Sequence, residues 1–107
     1  MKLKPGVSLK GVQTETLTGM VIANETYKDL FGQRITITAV TDGVHSEGSL
    51  HYVGLAFDFR TNDLPDGQAQ KLIDAIKKDL GGMEFDVIFE AKGTPNEHGH
   101  VEFQPKH

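Results

Sequence analysis

The sequence predicts an α+β fold, a small domain in which helices pack on a mostly antiparallel β-sheet. Two observations lead to this prediction. Apolar residues recur at helical spacing in two segments and alternate with polar residues in four others, and the segments follow the order helix, strand, loop, strand, helix, strand, strand. The length of 107 residues suits one hydrophobic core, so we expect a single domain over residues 1–107.

Two helices are predicted from apolar residues spaced three and four apart. The first covers about 14–30 and ends near Gly32; its apolar positions are Leu17, Met20, Val21, Ala23 and Tyr27. The second covers 66–80 and is followed by Gly81, a residue that often ends helices. Its apolar stripe consists of Leu72, Ile73, Ile76 and Leu80. We expect both apolar faces to belong to the core.

Four strands are predicted from alternation of apolar and polar residues. They cover residues 34–40, 55–60, 83–91 and 98–103. Successive side chains of a strand point to opposite faces, so Phe57 and Phe59 should face the core while Asp58 faces away from it. By the same rule, His98 and His100 share one face of the last strand.

Composition excludes several classes of function. The chain has no cysteine, so a metal would have to be held by histidine, aspartate or glutamate. The net charge of −4 and the scattered lysines and arginines argue against binding nucleic acid. No apolar run is long enough for a membrane span or a signal peptide, so we expect a protein made in the cytoplasm without a signal peptide. The sequence does not predict an oligomeric state.

Asp58 is the residue that most needs an explanation. A carboxylate inside an apolar strand is costly to bury unless a cation or several hydrogen-bond donors meet it. His51 and His100 lie near strand ends, and Gly54 permits a turn through which His51 can approach Asp58 from a loop. Two imidazoles and one carboxylate, with a fourth position open, form the donor set of a catalytic zinc site.

Other interpretations of these residues remain open at this point. His51 taken alone is more often an exposed loop histidine, and Asp58 alone more often pairs with a cation such as Arg60. His98 and His100 can also chelate a metal together from one strand face. Glu102 either orients a ligand histidine or is solvated. His107 is expected at a frayed terminus.

Two linked motifs resemble a known family. The segment SLHYVGLAFDF at 49–59, followed by EHGH at 97–100, resembles the zinc D-alanyl-D-alanine carboxypeptidase and L-alanyl-D-glutamate endopeptidase family, which shares its fold with the hedgehog signalling domain. The family pattern is Ser, any residue, His, two residues, Gly, any residue, Ala, any residue, Asp, and later an acidic residue three positions before a final His. Every position is filled here, and the resemblance covers about residues 34–104.

The resemblance implies roles for individual residues. It makes His51, Asp58 and His100 the zinc ligands and Glu97 the general base. The family usually has an arginine before the serine, near the position of His45, and this sequence lacks it. The residues that remain as candidates for substrate binding or for fixing the site loop are His45, Ser49, Tyr52 and Arg60.

The function implied by this resemblance is zinc-dependent hydrolysis of a peptide bond in peptidoglycan stem peptides. A phage- or prophage-encoded endolysin or a bacterial enzyme acting on the cell wall would fit this function. Because a fold does not determine a function, two alternatives stay open. They are a non-catalytic, zinc-containing binding module and a virion assembly protein with the same fold.

Overall fold

The computed structural model describes residues 1–45 and 47–104, and these residues form an α+β domain as predicted. His107 lies outside the described residues. In chain order the elements are β1 (Lys2–Leu3), α1 (Thr14–Phe31), β2 (Thr36–Ala39), a 3₁₀ helix (Leu50–Val53), β3 (Ala56–Arg60), α2 (Gln68–Asp79), β4 (Phe85–Glu90) and β5 (His98–Phe103). Among the described residues, no helix is both long and apolar enough to cross a membrane.

The described strands form one sheet with the order β1-β2-β3-β5-β4. β1 runs parallel to β2, and the other neighbouring strands are antiparallel. The sequence does not predict β1, because two residues are too few to show a period. The four longer strands lie where the alternating patterns predict them. β5 is flanked by β3 and β4, and this order determines which polar side chains meet.

The core lies between the helices and one face of the sheet. Phe57 and Phe59 are fully buried there, as predicted, and Val101 of β5 joins them. α2 and Leu80, the residue that follows it, contribute the predicted apolar stripe, in which each residue is at most 2% exposed: Leu72, Ile73, Ile76 and Leu80. Gly99 matters for this packing, because a Cβ at that position would overlap the ring of Phe59.

The predicted core face of α1 was partly wrong. Leu17 and Val21 are 40% and 52% exposed, whereas Met20 is buried. The buried side of the helix includes Thr16, whose hydroxyl donates a hydrogen bond of 2.7 Å to the carbonyl of Gly54. This tertiary hydrogen bond turns a polar residue inward, and hydrophobic spacing cannot indicate it.

Candidate metal centre

The site is built around Asp58, in the middle of β3 on the face opposite the core. The antiparallel register pairs Asp58 with His100 of β5, so the two side chains lie side by side on that face. His100 Nδ1 is 2.7 Å from Asp58 Oδ1. The predicted approach of His100 to Asp58 therefore follows from strand pairing.

His51 reaches the site from the 3₁₀ helix that precedes β3. Ser49 caps this helix, because its hydroxyl accepts a hydrogen bond of 3.2 Å from the backbone N–H of His51. Gly54 ends the helix with a φ of 75°, and a Cβ at this position would overlap the backbone of Gly11. The turn that the sequence predicted at Gly54 thus brings His51 Nε2 to 3.2 Å from Asp58 Oδ1.

The outer nitrogen of each imidazole is bonded to a fixed acceptor. His51 Nδ1 is 2.7 Å from the carbonyl oxygen of Val40, which can only accept, so Nδ1 carries the hydrogen. His100 Nε2 is 2.7 Å from Glu102 Oε1, so Glu102 orients this histidine. Such bonds select the tautomer whose other nitrogen is free to bind a metal. In both rings that other nitrogen faces Asp58.

Electrostatics keep Asp58 ionised. Burial opposes ionisation, but the hydrogen bonds and charges of His100 and His51 outweigh it and hold the pKa of Asp58 well below its usual range. Burial also disfavours charged histidine. Asp58 nevertheless raises the pKa of His51, and Asp58 together with Glu102 raises the pKa of His100 to about 9. Without a metal, hydrogen bonds from the two imidazoles offset the burial of this carboxylate.

The same three side chains can hold a metal ion. Their ligand atoms all lie within 4.8 Å of one another, and the residues are between 2% and 9% exposed. Tetrahedral zinc bonds of this kind place two ligand atoms roughly 3.4 Å apart. The separation of 3.2 Å from Asp58 Oδ1 to His51 Nε2 is close to that value, and the 2.7 Å to His100 Nδ1 is a hydrogen-bond distance that a bound ion would widen. The donor set and its compactness therefore fit a divalent metal.

The group opens onto a cavity of about 480 Å³. The cavity wall includes residues of the β2–β3 connection and of β3, β4 and β5, among them His45, Ser49, Ile88, Glu90 and His98. A bound ion would therefore keep a side accessible to a small molecule or a peptide. That accessibility is the feature that separates catalytic metal sites from closed structural ones.

His45 lies against a candidate ligand. Its ring stacks on that of His51, with centroids 4.0 Å apart and planes 9° from parallel. Tyr52 is half exposed, and its hydroxyl contacts the backbone N–H and carbonyl of His45 at 2.6 and 2.7 Å. Of the two, only His45 lines the cavity. Tyr52 therefore holds the backbone of the loop at His45, and the His45 side chain can contact a molecule bound in the cavity.

Arg60 and Glu97 lie in an adjoining cavity of about 310 Å³, which shares Asp58 and His98 with the first. The Glu97 carboxylate accepts hydrogen bonds from the Thr61 hydroxyl at 2.8 Å and from the backbone N–H of Gly93 at 3.1 Å. The structure does not bring Glu97 into the cavity of His51 and His100, and its role as a base stays a prediction.

Sequence reasoning missed Glu90. This residue lies opposite His98 in the β4–β5 pairing, and its Oε1 is 3.2 Å from His98 Nε2 and 3.6 Å from His100 Nδ1. The alternation in β4 places Glu90 on a polar face, but only the strand order and register show that this face continues the site. The contact between the Val40 carbonyl and His51 was missed as well, because a side-chain motif carries no information on backbone groups.

The fold and site together define a class: a small α+β domain with a buried two-histidine, one-aspartate group that can hold a metal ion. Comparison with known proteins does not narrow this class. The chain matches no protein-family model, and no curated protein is significantly similar to it.

Proposed function

We propose that this protein is a zinc peptidase that hydrolyses a peptide bond in peptidoglycan stem peptides, at a D-Ala-D-Ala or an L-Ala-D-Glu bond. One observation carries the proposal. The ligand atoms of the three residues that the motif resemblance selects lie within 4.8 Å of one another, and these residues line an open cavity. On this proposal the fold is hedgehog-like, and the site of action is the cell wall.

Each ligand residue has a defined task. On binding zinc, His51 and His100 would lose their inward protons and present neutral nitrogens, with the rings held in place by Val40 and Glu102, and Asp58 would supply the negative charge. A zinc ion held there would polarise the scissile carbonyl and lower the pKa of a water molecule. The protein must keep the ligands rigid, admit the peptide and accept the proton of that water.

Two glutamates can accept that proton. Glu97 fits the family pattern, and it has to exchange its hydrogen bonds with Thr61 and Gly93 for a position facing the metal cavity. Glu90 already lines that cavity. We assign the base role to Glu97 because it fits the family pattern, and Glu90 is the alternative.

The test measures zinc content and release of free amines from purified peptidoglycan. We expect amine release by the wild type, and we expect Glu97→Gln to bind as much metal while losing about 100-fold or more in rate. Asp86→Asn, which removes an exposed carboxylate from β4, serves as the matched control and should keep its activity. Failure of the zinc-loaded wild type to cleave any wall preparation would contradict the proposal.

A non-catalytic binding module is the second candidate. The observation that favours it is the position of Glu97, whose carboxylate is engaged with Thr61 and Gly93 outside the metal cavity. Such a module would bind zinc and wall peptides without hydrolysis. Binding of stem peptides by both the wild type and Glu97→Gln, with no amine released by either, would favour this candidate.

A further inference from the structure

A third histidine next to the centre has the same arrangement as the first two. His98 Nδ1 is 2.7 Å from the carbonyl oxygen of Asn96, so Nδ1 carries the hydrogen and Nε2 is the inward nitrogen. His98 Nε2 faces two carboxylates, with Glu90 Oε1 at 3.2 Å and Asp58 Oδ2 at 3.8 Å. This nitrogen and oxygens of the two carboxylates can therefore bind one cation together.

The two oxygens of Asp58 are divided between the two groups. Oδ1 is close to His51 and His100, whereas Oδ2 is the oxygen near His98. The three ligand atoms of the His98 group also lie within 4.8 Å of one another, although the 3.8 Å from His98 Nε2 to Asp58 Oδ2 makes this group looser than the first. A carboxylate used from both sides is the usual bridge between paired metal ions, which lie about 3.5–4 Å apart in two-metal sites.

We propose that Asp58, Glu90 and His98 form a second site for a divalent transition metal, joined to the first through Asp58. One imidazole and two carboxylates suit zinc, manganese or cobalt. In this arrangement His98 and His100 bind different ions, in contrast to the joint chelation that strand alternation permits. An ion bound to Glu90 would also occupy the alternative base, so that Glu97 would be the remaining candidate to accept the proton of the attacking water.

The second ion is held more weakly than the first. The Glu90 and His98 side chains are 44% and 23% exposed, whereas that of His51 is 3% exposed. Exposed ligands lose more side-chain freedom on binding and are more readily displaced by water. Titration with metal should therefore show two unequal steps.

The test starts from the metal-free full chain and counts the zinc bound at saturating concentration, by elemental mass spectrometry after equilibrium dialysis against that zinc concentration. We expect two ions in the wild type and one each in His98→Gln and Glu90→Gln. Glu97→Gln removes a neighbouring carboxylate that belongs to neither group, and it should keep two. The ion retained in each one-ion variant shows that the first site, and with it the fold, is intact.

Other counts overturn the inference. One ion in the wild type excludes the second site, and two ions in both His98→Gln and Glu90→Gln place it elsewhere. Loss of all zinc in His98→Gln would make His98 a ligand of the first site. This readout is separate from hydrolysis, because two ions without amine release would contradict only the peptidase proposal.

A measurement on the wild type alone guards against variants that fail to fold. Cobalt(II) replaces zinc in such sites and is paramagnetic. If two cobalt ions share Asp58, the electron paramagnetic resonance signal per ion should fall when the second equivalent is added. A signal that grows in proportion to bound cobalt would show that the ions are far apart and would overturn the bridge.

Discussion

The two faces of the sheet are made by the same strands but depend on different interactions. On the covered face, Phe57 and Phe59 pack against the helices, and the gain is hydrophobic. On the other face, Asp58 contacts a histidine from the neighbouring strand β5 and one from the 3₁₀ helix. One strand therefore supplies both the core and the site, with the alternation of its side chains separating them. Changes on the covered face should affect folding, and changes on the other face should affect metal binding.

The largest effect is expected on the free energy of unfolding, when two isoleucines on opposite faces of the sheet are compared. Ile37 of β2 is fully buried, and Ile88 of β4 lines the metal cavity and is 43% exposed. Ile37→Ala should lower the free energy of unfolding by about 2–5 kcal/mol, and Ile88→Ala by less than about 1 kcal/mol. Urea denaturation of the metal-free protein measures both. Equal losses would mean that the two faces do not differ as described.

The next largest effect is expected at Gly54. Alanine there must adopt a φ of 75° and would overlap the backbone of Gly11, so we expect a loss of about 1–3 kcal/mol and weaker zinc binding. Gly32 has a similar φ of 70° with open space around it. Gly32→Ala is therefore the control that shows the cost of the positive φ without the overlap. If both variants bind zinc equally well, Gly54 does not position His51.

Glu102 is not a metal ligand itself, but it orients the ligand His100. Glu102→Gln weakens the acceptor of the His100 Nε2–H and should lower zinc affinity about 10- to 100-fold. Asp86 lies opposite Glu102 on β4, so Asp86→Asn is a matched control with unchanged affinity expected. Competition with a chromophoric zinc chelator measures both. An unchanged affinity in Glu102→Gln would show that His100 is held by other contacts.

The last effect is the pH dependence of zinc binding, whose size is set by the pH interval over which it is measured. Burial disfavours the imidazolium of His100, but Asp58 and Glu102 outweigh it and raise the pKa to about 9, and the pKa of His51 is raised as well. Zinc must displace these protons, so its affinity should rise with pH up to about 9, by about tenfold per unit for each proton released. Calorimetry in buffers of different ionisation enthalpy counts the protons. Binding without proton release would contradict the coupling.

The sequence was sufficient for the features that repeat along the chain. Both helices and the four longer strands follow from periodicity, and a spaced motif selected His51, Asp58 and His100. What it missed depends on contacts between distant segments. β1 is too short to have a period, the hydroxyl of Thr16 is buried by a bond to a turn, and Glu90 joins the site only through the β4–β5 register.

The central claim is that His51, Asp58 and His100 form a metal centre, and a crystal structure of the zinc-loaded protein with anomalous data at the zinc edge tests it most directly. We expect a zinc ion at about 2.0–2.2 Å from His51 Nε2, His100 Nδ1 and an oxygen of Asp58. The bonds from Val40 and Glu102 to the outer nitrogens should be retained. Zinc bound elsewhere, or no zinc peak between these three residues, would contradict the account.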